Sequence, residues 1–242
     1  MNIIKKIIRV IKHPKGELFY PDTWNNELLI DKIRSMGGMI GKNTRFISPA
    51  ACNIDFGRAS YIKIGDNCCL TFVNILAHDY SWYTLLESCG DILPDAGGYV
   101  TIGNNVFVGY DALILKDTTI GDNCIIGARS VVKGNIPANT VWAGVPAKQI
   151  CTLDEFYKKR ESKRIDEARR RVNHFRNLQH REPTVQEMGM FGFLFLERTE
   201  QNYSKYIKDI EFNGVKDTPI VKNHFFKTKP TYCSFEEFLK NI

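Results

Sequence analysis

The 242 residues are 43% hydrophobic and 25% charged, the composition of an ordinary soluble chain with room for one large domain or one domain and an appendage. A net charge of +6 is too mild to mark a nucleic-acid binder, yet it suits an anionic ligand. The seven cysteines are odd in number and form no C-x-x-C pair, which reads as reduced core thiols of a cytoplasmic protein, and no apolar run is long enough to span a bilayer.

Residues 1–15, MNIIKKIIRVIKHPK, put Ile3, Ile4, Ile7, Ile8 and Ile11 on one helical face with lysines on the other. Lys5, Lys6, Arg9 and Lys12 interrupt any signal-peptide core. Two readings stand: a short helix packed on the body of the protein or a neighbouring subunit, or a weak association with an anionic membrane surface. His13, before Pro14, reads as a capping or surface residue. Residues 25–36 predict a second helix with Leu28, Leu29, Ile30 and Ile33 apolar, stopped by Gly37-Gly38. Residues 1–38 therefore form an N-terminal helical segment.

Near residue 40 a six-residue period begins, with Ile40, Phe46 and Cys52 in the lead position. Arg58 breaks it; Ile64, Leu70 and Leu76 resume it. From Ala77 to Val100 the period is lost. This stretch holds Tyr80, Trp82 and Tyr83, and turns at Gly90, Pro94, Gly97 and Gly98. A long excursion inside a regular array reads as a functional loop. The period then becomes strict: Ile102, Val108, Ile114, Ile120, Ile126 and Val132 lead, and Ala138 ends the run. Glycine follows the lead at 103, 109, 121 and 127, and the fifth position is small or β-branched (Val106, Ala112, Thr118, Cys124, Ser130). Six residues fit neither a helix nor a hairpin ladder. They fit short strands joined by sharp turns, each coil burying its face on the next in a solenoid. The solenoid domain spans 39–150, with the loop at 77–100.

Beyond Ile150 the composition changes. Thr152 to Leu178 predicts one long amphipathic helix with Phe156, Ile165, Ala168, Val172 and Phe175 inward, followed by Pro183. Residues 188–210 read as apolar and then helical, and the patch Phe191, Phe193, Leu194, Phe195 and Leu196 must be covered, by the solenoid or across a subunit boundary. Residues 212–223 read as a turn and a short extended stretch. A final helix starts at Ser234, with Glu237 three residues on. His174, His180 and His224 lack ligand spacing and read as surface or packing residues. Residues 151–242 form a C-terminal helical extension.

The run IGNNVFVGYDALILKDTTIGDNCIIGARSVV and the closing NIPANTVWAGVPAKQI resemble the hexapeptide-repeat acyltransferases, and AHDYSW resembles the catalytic-loop segment of their sugar and xenobiotic O-acetyltransferase subgroup. The resemblance implies a mainly β fold, a left-handed parallel β-helix of triangular cross-section. That hand is a property of the family and runs against the usual crossover rule. It also implies acetyl-coenzyme A as cosubstrate, a sugar hydroxyl of a surface polysaccharide or its precursor as acceptor, and a homotrimer with active sites at subunit boundaries.

Acyl transfer from a thioester needs a base for the acceptor's proton, donors for the oxyanion and alignment of both substrates. His78 is the histidine of the solenoid, at the first step of the loop, and the resemblance makes it the general base. Its tautomer would be held by Asp79, Glu87 or a backbone carbonyl; Asp79 fits the subgroup and equally reads as a turn residue. Asn74, Tyr80 and Trp82 are candidates to line the acceptor pocket. Phe107 stands beside it, in VFVG, where close relatives carry VWIG. For the donor, the resemblance places the pantetheine amides at Gly109, Tyr110 and Ala128, and the phosphates at Lys133 and Lys148, with Arg129 a weaker candidate. Lys133-Gly134-Asn135 departs from the usual T-K-D. No metal is expected, since a zinc site on this scaffold needs several converging histidines. The alternatives to an O-acetyltransferase are an N-acyltransferase on an amino sugar and a non-catalytic scaffold.

Overall fold

The computed structural model describes residues 25–211 and 217–242, in two compact units divided between Tyr157 and Lys158. The basic segment at 1–15, with His13, lies outside the described residues. Helix α1 (Asn26–Ser35) starts where Asn25 Oδ1 accepts the Leu28 amide at 3.0 Å, and Gly37, with φ +90°, turns the chain away after its end. Leu29, Ile30 and Ile33 enter the core of the first unit.

Thirteen short strands follow among the described residues: β1 (Met39–Ile40), β2 (Arg45–Ile47), β3 (Asn53–Ile54), β4 (Ile62–Ile64), β5 (Cys69–Thr71), β6 (Asn74–Leu76), β7 (Val100–Ile102), β8 (Phe107–Val108), β9 (Leu113–Ile120), β10 (Ile125–Ile126), β11 (Val131–Ile136), β12 (Thr140–Gly144) and β13 (Ala147–Thr152). They pair in three parallel ladders. The first is β1, β4, β7 and the second halves of β9 and β11; the second is β2, β5, β8, β10 and β12; the third is β3, β6 and the first halves of β9 and β11. Successive coils therefore visit the three ladders in turn. The long strands β9 and β11 cross from the third ladder into the first, and β13 folds back antiparallel on β12 to close the stack.

The inward residues stack in columns: Ile40, Ile64, Ile102, Ile120 and Ile136; Phe46, Leu70, Val108 and Ile126; Ile54, Ile75, Ile114 and Val132, all buried. Each fully buried aliphatic contributes roughly 1.5–3 kcal/mol. The small fifth-position residues Val106, Ala112, Thr118, Cys124 and Ser130 are buried as well, where the coils turn. One corner is built from Asn43, Asn67, Asn105, Asn123 and Asn139, each in the left-handed region. Asparagine tolerates that region better than most residues.

The observed phase departs from the expected one in three places. On β3 the inward residue is Ile54, not Cys52, because a 3-10 turn at Pro49–Ala51 lengthens the corner. On β6 it is Ile75, not Leu76, after a tight corner at Phe72 with φ +47°. In the last coil Ile136 replaces exposed Ala138, because the pairing shifts between Val132 and Gly134. Arg58 breaks the repeat because it lies in a second 3-10 segment, Phe56–Tyr61, where Ala59 is buried. The excursion at 77–100 contains a helix that the pattern did not predict, α2 (Trp82–Cys89), and closes at its base by Gly98 N–H donating to Ala77 O at 2.9 Å.

In the second unit the single helix expected at 152–178 is broken: α3 (Leu153–Ser162), which begins in the first unit, gives way at Lys163 to α4 (Arg164–His174) and a π-helical turn, Phe175–Gln179. Then come α5 (Val185–Met188), α6 (Glu200–Glu211), α7 (Pro219–Lys227) and α8 (Phe235–Lys240). Helix α7 replaces the expected extended stretch; Thr218 caps it, accepting from the Val221 amide at 3.2 Å, and Pro219 occupies its first turn. The apolar segment at 191–196 finds its cover within its own unit. Leu194 and Phe195 pack with Ala168, Val172, Met188 and Phe238. Phe193 stacks on His224 at 5.3 Å, which makes that histidine a packing residue. No helix among the described residues is long and apolar enough to cross a membrane.

Candidate active site

Strand β6 ends at Leu76, buried Ala77 follows, and His78 stands where the chain leaves the stack. One coil earlier, β3 runs out into Asp55, whose amide donates to Ile75 O at 3.0 Å. This register points the Asp55 carboxylate at the next corner. Its Oδ2 accepts the Ala77 amide at 3.0 Å and makes a short contact with His78 Nδ1. The Asp55 side chain is 6% exposed and that of His78 22%. A carboxylate has no proton to give, so in the neutral ring Nδ1 carries the hydrogen and Nε2 keeps the lone pair. The Tyr80 ring lies over the imidazole, 4.4 Å between centroids, and Trp82 meets Tyr80 edge-on at 6.4 Å.

The expected tautomer partner, Asp79, is thereby corrected to Asp55. Asp79 is exposed, and its Oδ1 accepts the Ser81 amide at 2.7 Å, the bond that chiefly holds its carboxyl below the usual range. It is a turn residue. Glu87 lies on exposed α2. The signal for Asp55 was present only in the register: it is 23 residues away and one coil back, and the phase slips at Cys52 and Leu76 hid that adjacency.

Of the remaining predicted residues, Asn74, Gly109, Tyr110, Ala128 and Arg129 form a second group, with Lys148 beside it, while Lys133 and Phe107 lie elsewhere. At the other end of β6, Asn74 Nδ2 donates to Asp111 Oδ1 at 3.0 Å, and Asp111 Oδ2 faces Arg129 Nε at 3.5 Å. Tyr110 packs on Phe72, with centroids 4.9 Å apart. Gly109 is buried and its amide is committed to Ile126 O at 2.8 Å, while a Cβ there would meet Ala128 N at 2.5 Å. Gly109 thus permits the coils to approach and is not an open donor; the exposed residues of this corner include Tyr110, Ala128 and Arg129. Lys148, exposed, pairs with Ala143 beside this column. Lys133, also exposed, follows Val132 at the corner shared with His78. Phe107 lies on the outer face of the second ladder, where it lines a shallow pocket with Cys69, Asn105, Asn123, Ile125 and Leu153. Within one chain, Asn74 and Phe107 are therefore not grouped with His78. Asn74 and His78 are four residues apart along extended chain, about 13 Å. Burial raises the Cys52 and Cys68 thiols, so both are poor nucleophiles.

The bacterial transferase hexapeptide family (six repeats) matches residues 99–134. Over 140 residues the chain is 31% identical to a galactoside O-acetyltransferase of Escherichia coli (strain K12), covering 51% of this chain and 68% of that one. It is 32% identical over 128 residues to Protein CapG of Staphylococcus aureus, covering 52% and 72%. A 51-residue stretch is 53% identical to a putative lipopolysaccharide biosynthesis O-acetyl transferase, WbbJ, of Escherichia coli (strain K12), covering 21% of this chain and only 26% of that relative.

Proposed function

The chain belongs to the bacterial hexapeptide-repeat transferases and is an acyltransferase, and we propose that it is an acetyl-coenzyme A-dependent O-acetyltransferase of a sugar hydroxyl, with His78 as the general base. The observation that carries this reading is the Asp55–His78 pair at the root of the loop. In its place and tautomer, Nε2 takes the acceptor's proton as the hydroxyl oxygen attacks, and His78 returns that proton to the departing sulfur. Asp55 stabilises the imidazolium in between and keeps the ring from turning. Tyr80 and Trp82 offer aromatic faces to a sugar ring. Acetyl-coenzyme A supplies the acyl group as a thioester.

The donor-side residues fit such a cosubstrate. Small Ala128 leaves the backbone of the exposed corner approachable, Gly109 lets the coils close behind it, and Lys148, Lys133 and Arg129 are exposed cations for phosphates. Further parts of the proposal are a left-handed coil, a homotrimer, a cytoplasmic setting and an acceptor drawn from a surface polysaccharide or its precursor. The similarity to a putative lipopolysaccharide O-acetyl transferase supports the acceptor class. The free cysteines among the described residues fit a reducing compartment.

A thiol-release assay with acetyl-coenzyme A across hydroxylated and amino sugars tests the reaction. Turnover with hydroxyl acceptors is expected, and His78→Ala should lose at least about 10²-fold in kcat with its circular dichroism intact. Parental turnover in that variant would remove the base, and turnover confined to amino sugars would make the enzyme an N-acyltransferase.

A further inference from the structure

His78 is held from the coil before it by Asp55. A second set of contacts reaches the same corner from the coil after it. Leu76 pairs with Leu115, so Lys116 lies one coil beyond Ala77 at the point where the loop departs. Lys116 Nζ donates to Asp95 Oδ1 at 2.7 Å, and Asp95 Oδ2 accepts the amide of Asp79 at 2.5 Å. Asp95 lies on the returning limb of the loop, 16 residues beyond Asp79. One carboxylate thus joins three points: the residue next to the base, the end of the excursion and the rigid stack. Both side chains are mostly screened from solvent, 18% exposed for Asp95 and 24% for Lys116. The hydrogen bond with Lys116 chiefly holds the Asp95 carboxyl below its usual range, and the same bond raises Lys116.

The surroundings make this tie consequential. Helix α2 contributes no buried residue, and Tyr83, Ile92 and Leu93 are exposed, so apolar packing within the chain does little to locate the loop. The backbone bond from Gly98 to Ala77 closes the base of the loop but makes no contact with the chain after His78. Asp95 holds the N–H of the peptide between His78 and Asp79.

We propose that Asp95 and Lys116 are positioning residues for acyl transfer: the pair clamps the peptide that follows His78 to the coil beyond it, so that the imidazole is fixed from both neighbouring coils. The inference rests on His78 acting as the base. Misplacing a reacting group by about 1 Å costs up to about 10²-fold in rate. Lys116→Met and Asp95→Ala should therefore lower kcat by about 10- to 100-fold. The KM for acetyl-coenzyme A should stay within about twofold, because neither Asp95 nor Lys116 is among the residues proposed to hold the donor. Lys116→Arg, which still reaches a carboxylate, should recover most of the loss.

The measurement uses full-length protein, acetyl-coenzyme A and the panel sugar that the parent turns over fastest, with His78→Ala alongside. Hydrogen exchange of a peptide spanning residues 78–83 gives a readout independent of turnover: it should quicken in Asp95→Ala and Lys116→Met and return towards the parent in Lys116→Arg. Parental kcat in Lys116→Met and Asp95→Ala, with His78→Ala inactive, overturns this inference and leaves the base in place. A parallel fall in kcat and thermal stability that Lys116→Arg does not rescue assigns the pair to folding alone and also overturns it. An active His78→Ala removes the base reading, and this inference falls with it.

Discussion

Asp55 gives one carboxylate oxygen to two donors, the Ala77 amide and His78 Nδ1, at a site where its side chain is almost wholly enclosed. Enclosure of the carboxylate sharpens the electrostatic effect on the imidazole, since water screens the pair less than it would in solution. An asparagine at this position keeps the size but loses the charge, and it can present an N–H to Nδ1, which favours the wrong tautomer. Asp55→Asn is expected to lower kcat by on the order of 10²–10⁴-fold with little change in KM, a range set by the equivalent change in hydrolytic triads. Asp79→Ala, which removes only a turn contact, should cost less than about threefold, as surface substitutions do. Steady-state kinetics on the two variants decide which acid serves the base; the reverse order of effects would restore Asp79. His78 was legible in the sequence because it is the histidine of the periodic region, at the step where the period fails. Its partner was not, because Asp55 becomes a neighbour only through coil stacking, and stacking is invisible until the length of every corner is known.

At the scale of the coil, corners govern register. In the strict part of the repeat each residue sits 18 positions from its stacked counterpart, as Asn105 does from Asn123. The asparagine corner shows how this is enforced: Asn105 Nδ2 donates to Asn123 Oδ1 at 2.8 Å, and Asn123 Nδ2 donates to Asn139 Oδ1 at 2.9 Å. The left-handed backbone and the side-chain ladder are separate contributions, and they can be measured apart. Asn123→Gly keeps the φ of +57° but loses the ladder, at a cost of about 1 kcal/mol per lost bond. Asn123→Ala loses the ladder and places a β-carbon in the left-handed region, which adds roughly 1–2 kcal/mol. Denaturant unfolding should therefore rank the parent above Asn123→Gly above Asn123→Ala; an alanine variant as stable as the glycine one would show that backbone strain does not matter there. The period was readable from Ile102 to Val132 because every corner there has the same length. It misled at Cys52 and Leu76, where the corners are longer or shorter by one or two residues, and it gave no sign of α2, whose apolar residues are not buried within the chain.

At the scale of the whole molecule, one chain separates the two groups of residues proposed for the acceptor and the donor. His78, Tyr80 and Trp82 stand at one end of β6, and Asn74, Tyr110 and Ala128 at the other. The exposed apolar residues of the loop, Tyr83, Ile92 and Leu93, form a surface that a second copy can cover. A ring of three copies would bring the His78 corner of one chain to the Tyr110–Ala128 corner of the next, through a heterologous contact that closes on itself. Light scattering should then give three times the chain mass of 27.7 kDa. Complementation makes the sharper test. His78→Ala removes the proposed base, and Ala128→Trp fills the proposed donor corner, so each variant alone should be inactive. Co-expressed in equal amounts, they assemble at random. A site is then whole when one side comes from the Ala128→Trp chain and the other from the His78→Ala chain, a chance of one half on each side. The mixture should recover about a quarter of parental turnover. If each chain carried its own complete site, no arrangement of the two variants would restore one, and the mixture would stay inactive.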